Sequence, residues 1–180
     1  TVSSILALYS QPNGFVNTFD VRQVAINQAK KNIEQMQAGD FVEVHYGNIL
    51  EDPLSLPPQD FIMLDLATPW DAVSKVKPFL SSKGNICLFS PTIEQVKKNV
   101  VALSDEKFNK IITLEQIQRK FQVKPNATRP RGRVVGHTGY MTFATLSNDA
   151  LLSPHFTAVF SPSNVGNLLI YGDIHQKSSV

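Results

Sequence analysis

The stretch Phe61-Ile62-Met63-Leu64-Asp65-Leu66 sets one charged residue inside an otherwise unbroken apolar run. A strand covered on one face alternates apolar and polar residues. A strand covered on both faces does not, and strands of that kind belong to parallel sheets layered between helices. The chain on either side fits this reading. Upstream, Val2, Ile5, Leu6 and Tyr9 have helical spacing and Pro12-Asn13-Gly14 ends the run; Gly14 to Asp20 reads as a strand, Val21 to Met36 as a helix, and Phe41 to Tyr46 alternates as a half-buried strand. Downstream, Pro69 to Leu80 reads as a helix, Asn85 to Ser90 as a buried strand, and Pro91 to Leu103 as a helix with proline in its first turn, where a missing N–H costs little.

From Lys110 the helices stop. Lys110 to Ile117, Arg119 to Val123 and Gly139 to Thr145 all have strand composition, and Lys124 to Arg133 joins the last two as a basic loop. Alternating strands and helices predict a doubly wound α/β sheet with right-handed crossovers, and the terminal strands predict an antiparallel edge hairpin. Beyond Asp149 only Phe156 to Phe160 and Leu168 to Tyr171 look like strands, and no chemistry is legible there.

The 180 residues are 42% hydrophobic and 18% charged, which suits a packed core and excludes a disordered chain. No run of about 18 apolar residues occurs, so no membrane-spanning helix is expected. Cys87 is the single cysteine and has no internal disulfide partner, which favours a reducing, cytoplasmic setting. No His/Cys/Asp/Glu group has metal-ligand spacing, and no Ser/His/Asp arrangement stands out, so neither a metal nor a covalent hydrolase mechanism is expected. The first residues, Thr1 to Ser10, carry neither an initiator Met nor a basic leader, and the sequence is expected to open inside a domain.

Net charge is only +2, but Arg119, Lys120, Lys124, Arg129, Arg131 and Arg133 face Glu115 alone within residues 111–140. A local basic block is either a solvated surface or the footprint of a phosphate-rich partner.

Ligands of doubly wound sheets sit outside the carboxyl ends of the strands. Asp20 ends a strand, where its carboxylate would either hold a ribose diol or cap the next helix. Asn48 follows another strand end. Asp65 lies in an apolar strand, and such a carboxylate must be hydrogen-bonded, paired or functional. Trp70 follows it closely, as a buried packing residue or as a platform for a planar base. His137 enters a strand directly after the basic block, while His45, His155 and His175 read as surface or packing residues.

Three segments together resemble one family. Leu64-Asp-Leu-Ala-Thr-Pro-Trp70, Phe89-Ser-Pro-Thr-Ile-Glu-Gln-Val96 and Arg129-Pro-Arg-Gly-Arg-Val-Val-Gly-His-Thr-Gly-Tyr-Met-Thr-Phe143 are similar to tRNA adenine-N1 methyltransferases, which make 1-methyladenosine at position 58 of the T-loop. The resemblance runs from Thr1 to about Ala144. It implies a Rossmann-like class I methyltransferase fold, S-adenosylmethionine as cofactor, tRNA as substrate and a homotetramer. It places Asp20 on the cofactor ribose, Asn48, where the family has Asp, on the adenine, Thr1 and Asp65 beside the cofactor, and Asp65 in the catalytic position. Trp70, Arg129, Arg131, Arg133 and His137 fall on the substrate side. Ala67-Thr68 departs mildly from the family's usual residues.

Thr1-Val2-Ser3 looks like the chain just after the family's Gly-rich loop. Residues 1–149 are therefore expected to form a partial catalytic domain without its central first strand, inactive and a poor S-adenosylmethionine binder by itself, with residues 150–180 a tail of unknown role. The alternative is a non-catalytic tRNA-binding subunit, against which the joint presence of Asp20, Asp65 and Trp70 argues.

Overall fold

The computed structural model describes residues 2–132 and 136–146 with their side chains, and residues 167–172 as backbone. In chain order the elements are α1 (Val2–Ser10), β1 (Phe15–Asp20), α2 (Gln23–Gln35), β2 (Val42–Tyr46), β3 (Gln59–Asp65), α3 (Pro69–Val76), β4 (Leu80–Ser90), α4 (Ile93–Asp105), β5 (Asn109–Glu115), β6 (Phe121–Gln122), β7 (Arg129–Pro130), β8 (Tyr140–Thr145) and β9 (Asn167–Gly172). Seven strands form one sheet in the order β2-β1-β9-β3-β4-β8-β5. Among the described residues β8 alone runs antiparallel to both of its neighbours, β4 and β5, so the fold is a mixed, doubly wound α/β sheet.

The apolar run behaves as its composition requires. Ile62 and Leu64 are fully buried in a core with Ala72, Val73, Ile86 and Leu88, under α3 and α4. Phe61 and Met63, pointing the other way, pack against Ala7, Val16 and Ile33 under α1 and α2. Each fully buried Ile or Leu contributes about 1.5–3 kcal/mol by transfer from water, so the two-sided burial of β3 anchors the sheet.

Three expectations are corrected. The central slot, expected to be vacant, is taken by β9, which pairs parallel with β1 on one side and β3 on the other. The basic segment expected as a loop folds back on itself: β6 pairs antiparallel with β7 as a separate two-stranded ribbon. Its turn has Pro125 followed by Asn126 at φ 61°, with Ala127 N–H donating to Lys124 O at 3.1 Å, the residue choice a type II turn favours. Pro91 lies outside α4 rather than in its first turn; Thr92 is the N-cap, its Oγ1 accepting from Gln95 N–H at 3.3 Å.

Helix α1 forms as expected, and Leu6 of its apolar set packs against the core. Its small side chains Ser3, Ser4, Ala7 and Ser10 are buried, while Val2, Ile5, Leu8 and Tyr9 are exposed. Small residues on the inner face let the helix lie close to β1, and that close approach decides which face turns inward. Among the described residues no helix is long and apolar enough to cross a membrane.

Candidate active site at the carboxyl edge of the sheet

The parallel strands bring Asp20, Asp65, Ser90 and Glu115 to one edge, because each ends its strand. Antiparallel β8 starts there, Tyr140 lying opposite both Ser90 and Glu115. The segment between β5 and β8, which carries the basic ribbon, is therefore rooted on the same edge as the two acids.

Asp20 is 9% exposed. It does not cap α2, whose N-cap is Arg22. Instead its Oδ1 accepts from Arg22 N–H at 2.8 Å and from Nε at 3.2 Å, and its Oδ2 accepts from the guanidinium NH2 group at 3.2 Å. Both carboxylate oxygens thus converge on one pair of donors.

Asn48 is half-buried beyond β2. Its Oδ1 accepts from Leu50 N–H at 3.0 Å, closing an Asx turn, and its own N–H donates to the Asp52 carboxylate. One lone pair of the side-chain oxygen is therefore already in use.

Asp65 is half-buried at the end of β3. Buried Cys87 has its thiol pushed up to about 12, first by burial and then by the charge of Asp65. The loop after Asp65 is held from α4, since Gln95 Nε2 donates to Ala67 O at 3.1 Å. Trp70, in the first turn of α3, is half-buried, and Lys98 Nζ stands 4.6 Å from its ring centroid. One face of the ring read as a base platform therefore carries an ammonium group.

His137 has both ring nitrogens engaged. Nδ1 lies 2.7 Å from Glu115 Oε1, and Nε2 lies 2.7 Å from Pro91 O. An ionised carboxylate and a carbonyl only accept, so both contacts are satisfied only by the doubly protonated ring. Its pKa is accordingly raised above 6.5, chiefly by the Glu115 bond and then by the Pro91 carbonyl. The ring also meets Tyr140 at a centroid distance of 4.7 Å. His137 is thus a clamp joining the ends of β4 and β5 to the start of β8.

The raised folded pKa fixes the sign of a pH effect. The stabilisation is complete below about 6.5, the unfolded value, and is lost as pH rises through the folded pKa. Urea unfolding of the protein and of His137→Gln should differ most near pH 6 and converge at alkaline pH; a constant difference would mean that the clamp does not titrate.

Gly139 explains part of the following motif. A Cβ there would run into the ring of Phe89, whereas Gly136 has open space. Gly139→Ala is expected to lower thermal stability while Gly136→Ala leaves it unchanged, read by melting temperature.

Arg129 opens β7, and both it and Arg131 are exposed, with Arg131 N–H bonded to Lys120 O at 2.9 Å. Thr1, Arg133, His155 and His175 lie outside the described residues. Among the described residues there is no group of three or more His, Cys, Asp or Glu side chains that could hold a metal ion. Sequence reasoning missed Arg22, Gln95, Lys98 and Glu115. Only Gln95 had a local signal, the Thr-x-x-Gln capping pattern at 92–95.

Residues 1–129 match the family described as the tRNA methyltransferase complex GCD14 subunit. The chain belongs to this family. Among curated relatives of the GCD14-family chain, the tRNA (adenine(57)-N(1)/adenine(58)-N(1))-methyltransferase TrmI of Methanocaldococcus jannaschii is 32% identical over 163 residues, covering 77% of this chain and 58% of that protein. The tRNA (adenine(58)-N(1))-methyltransferase TrmI of Thermus thermophilus is 29% identical, covering 71% of this chain and 50% of that one. The chain thus spans about half the length of these relatives.

Solved structures share the fold. A SAM-dependent O-methyltransferase from Thermotoga maritima superposes with a TM-score of 0.71 at 22% identity, covering 84% of this chain and 66% of that one. The tRNA (m1A58) methyltransferase TrmI of Aquifex aeolicus gives 0.64 at 19% identity, covering 80% and 67%.

Proposed function

We propose that this GCD14-family chain is the catalytic part of a tRNA adenine-N1 methyltransferase acting on adenine 58 of the T-loop. The observation that carries the reading is the shared edge: Asp20 and Asp65 end the two strands that flank β9, and the basic ribbon springs from the same side.

The residues present fit S-adenosylmethionine. A ribose diol needs carboxylate acceptors; Asp20 Oδ2 keeps a lone pair beyond its Arg22 bond, whereas Oδ1 already accepts twice from Arg22, so a diol held by both oxygens takes the place of the Arg22 side chain. Asn48 keeps one lone pair on Oδ1 and the Nδ2 donor for an adenine edge. The cofactor, when bound, supplies an electrophilic methyl group to the adenine N1 lone pair. Asp65 accepts a hydrogen bond from the N6 amine of the target adenine, which orients the ring and stabilises its developing positive charge. No strong base is required at N1, because that nitrogen carries no proton to remove. The target must first leave its stack, and Trp70 on the α3 side offers an aromatic surface for the extruded base.

The ribbon arginines bind phosphates, which sets the register of the tRNA without reading its sequence. We place the protein in the cytoplasm as a homotetramer, with residues 1–149 as the catalytic portion. Methyl-labelled S-adenosylmethionine with a T-loop-bearing tRNA tests the reading. Label recovered as 1-methyladenosine at position 58 supports it, and label in another nucleoside or in none overturns it.

A further inference from the structure

We infer that Gln95 and Lys98, one turn apart on α4, are positioning residues for the target adenine: they hold the Ala67–Trp70 segment that follows Asp65 and confine a stacked base to one face of Trp70. This deepens the proposed function and rests on its reading of Asp65 and Trp70.

Helix α4 is itself fixed to the carboxyl edge of the sheet. Asn99 is fully buried, and its Nδ2 donates to Ser90 Oγ at 2.8 Å, which ties the helix to the end of β4. β4 lies beside β3, the strand that ends in Asp65. A helix anchored there is a rigid support for whatever its neighbouring side chains grasp.

Gln95 grasps the loop. Its Oε1 accepts from the Thr92 hydroxyl at 3.0 Å, and its Nε2 donates to Ala67 O at 3.1 Å. The first bond sets the amide so that its donor faces the carbonyl; the reverse setting would bring two acceptors together. Ala67 lies two residues beyond Asp65 and three before Trp70, so the bond falls between the two side chains assigned to the target base.

Lys98 takes the other end of the segment. It is an exposed residue, yet its Nζ stands 4.6 Å from the Trp70 ring centroid. Stacked aromatic rings place their centroids about 4.5–7 Å apart, so the ammonium occupies the space that a base would take on that face. A base on Trp70 therefore meets the ring from the opposite side, and one open side means one approach of the adenine towards Asp65. Reacting geometry is sensitive to such support, since a displacement of about 1 Å can cost on the order of a hundredfold in rate. The effect falls on turnover and not on cofactor affinity.

Trp70 is the single tryptophan of the chain, so its fluorescence reports this segment alone. In the ligand-free protein, Lys98→Ala is expected to raise the quenching of Trp70 by acrylamide, and Lys98→Arg to leave it unchanged. Equal quenching in the alanine variant would overturn the role of Lys98 without reference to any substrate.

Methyl transfer to tRNA is the second readout. Gln95→Glu keeps the helix cap, because Glu serves at the third position of a Thr-x-x-Gln box as well as Gln does and an acid suits the first turn, but its carboxylate cannot donate to Ala67 O. Its kcat should fall by about tenfold to a hundredfold, with melting temperature and S-adenosylmethionine affinity unchanged. Lys98→Ala should lower kcat by about two- to fivefold, the scale of an exposed cation–π contact, and arginine should restore it. A loss in Gln95→Glu that comes with a lower melting temperature would assign the residue to the fold, and a change of KM alone in Lys98→Ala would make the ammonium a phosphate contact; either result overturns the positioning role. Undiminished kcat in both variants overturns the inference and leaves the proposed function standing. Absence of methyl transfer by the unaltered protein overturns the proposed function and this inference with it.

Discussion

Asp65→Ala is expected to lower methyl transfer to tRNA by about two to three orders of magnitude while leaving S-adenosylmethionine affinity close to that of the unaltered protein, as removal of one charge-stabilising group in a preorganised site does. The split is the informative part. Asp20, not Asp65, carries the carboxylate acceptors proposed for the ribose, so the loss at Asp65 falls on turnover. Asp65→Asn separates two contributions. The amide oxygen still accepts from the N6 amine and orients the ring, but the charge that answers the developing cation is gone. It should therefore lie between alanine and the unaltered protein. Single-turnover rates with labelled cofactor, beside calorimetry, give both numbers, and unchanged turnover in the alanine variant would remove Asp65 from the mechanism. The Cys87 thiol supplies a control in the ligand-free protein. The charge of Asp65 helps hold its pKa up at about 12, so its alkaline titration should shift down in both variants.

The second large effect lies in the ribbon. Replacing Arg129, Arg131 and Arg133 together by alanine should weaken tRNA binding at every sequence alike and flatten its salt dependence by about one unit of log-log slope per lost phosphate contact, about three in all. Fluorescence titrations between low and moderate salt read the slope directly. A steep slope retained by the triple variant would mean that the ribbon does not meet RNA. A fall in affinity with no change of slope would assign the arginines to holding the ribbon rather than to phosphate. Because the ribbon is a paired unit, with Arg129 opposite Gln122, the variant's circular dichroism should match that of the unaltered protein.

Much of the sheet was legible because its signals are local. The unbroken run at 61–66 announced a strand buried on both faces, and Asp20 and Asp65 could be placed at strand ends from periodicity alone. What was not legible depends on partners distant in sequence. Leu168-Leu169-Ile170-Tyr171 is an unbroken apolar run that fits a strand covered on both faces, but its place between β1 and β3 is set by partners distant in sequence. The inward face of α1 was not legible either, since it carries Ser3, Ser4, Ala7 and Ser10 while most of the helix's large apolar side chains are exposed. The clamp at His137 was not legible, because its partners, Glu115 and Pro91, are 22 and 46 residues away. Arg22 is the near miss. It lies two residues from Asp20, yet no local rule says that a guanidinium will occupy both oxygens of a carboxylate.

The position of β9 also governs how the molecule is made. β1 and β2 form one parallel pair, β3, β4, β8 and β5 form a second group, and among the described residues β9 is the strand that joins them. Its contacts link residues about as far apart as Phe15 and Asn167. Closing so large a loop is the slow step expected of high contact order. On the ribosome, both half-sheets would wait with an open edge until residue 172 emerges, and open edges are where chains pair with the wrong partner. Assembly of this sheet is therefore decided at β9, and yield at low temperature or with chaperones should track how quickly that strand pairs.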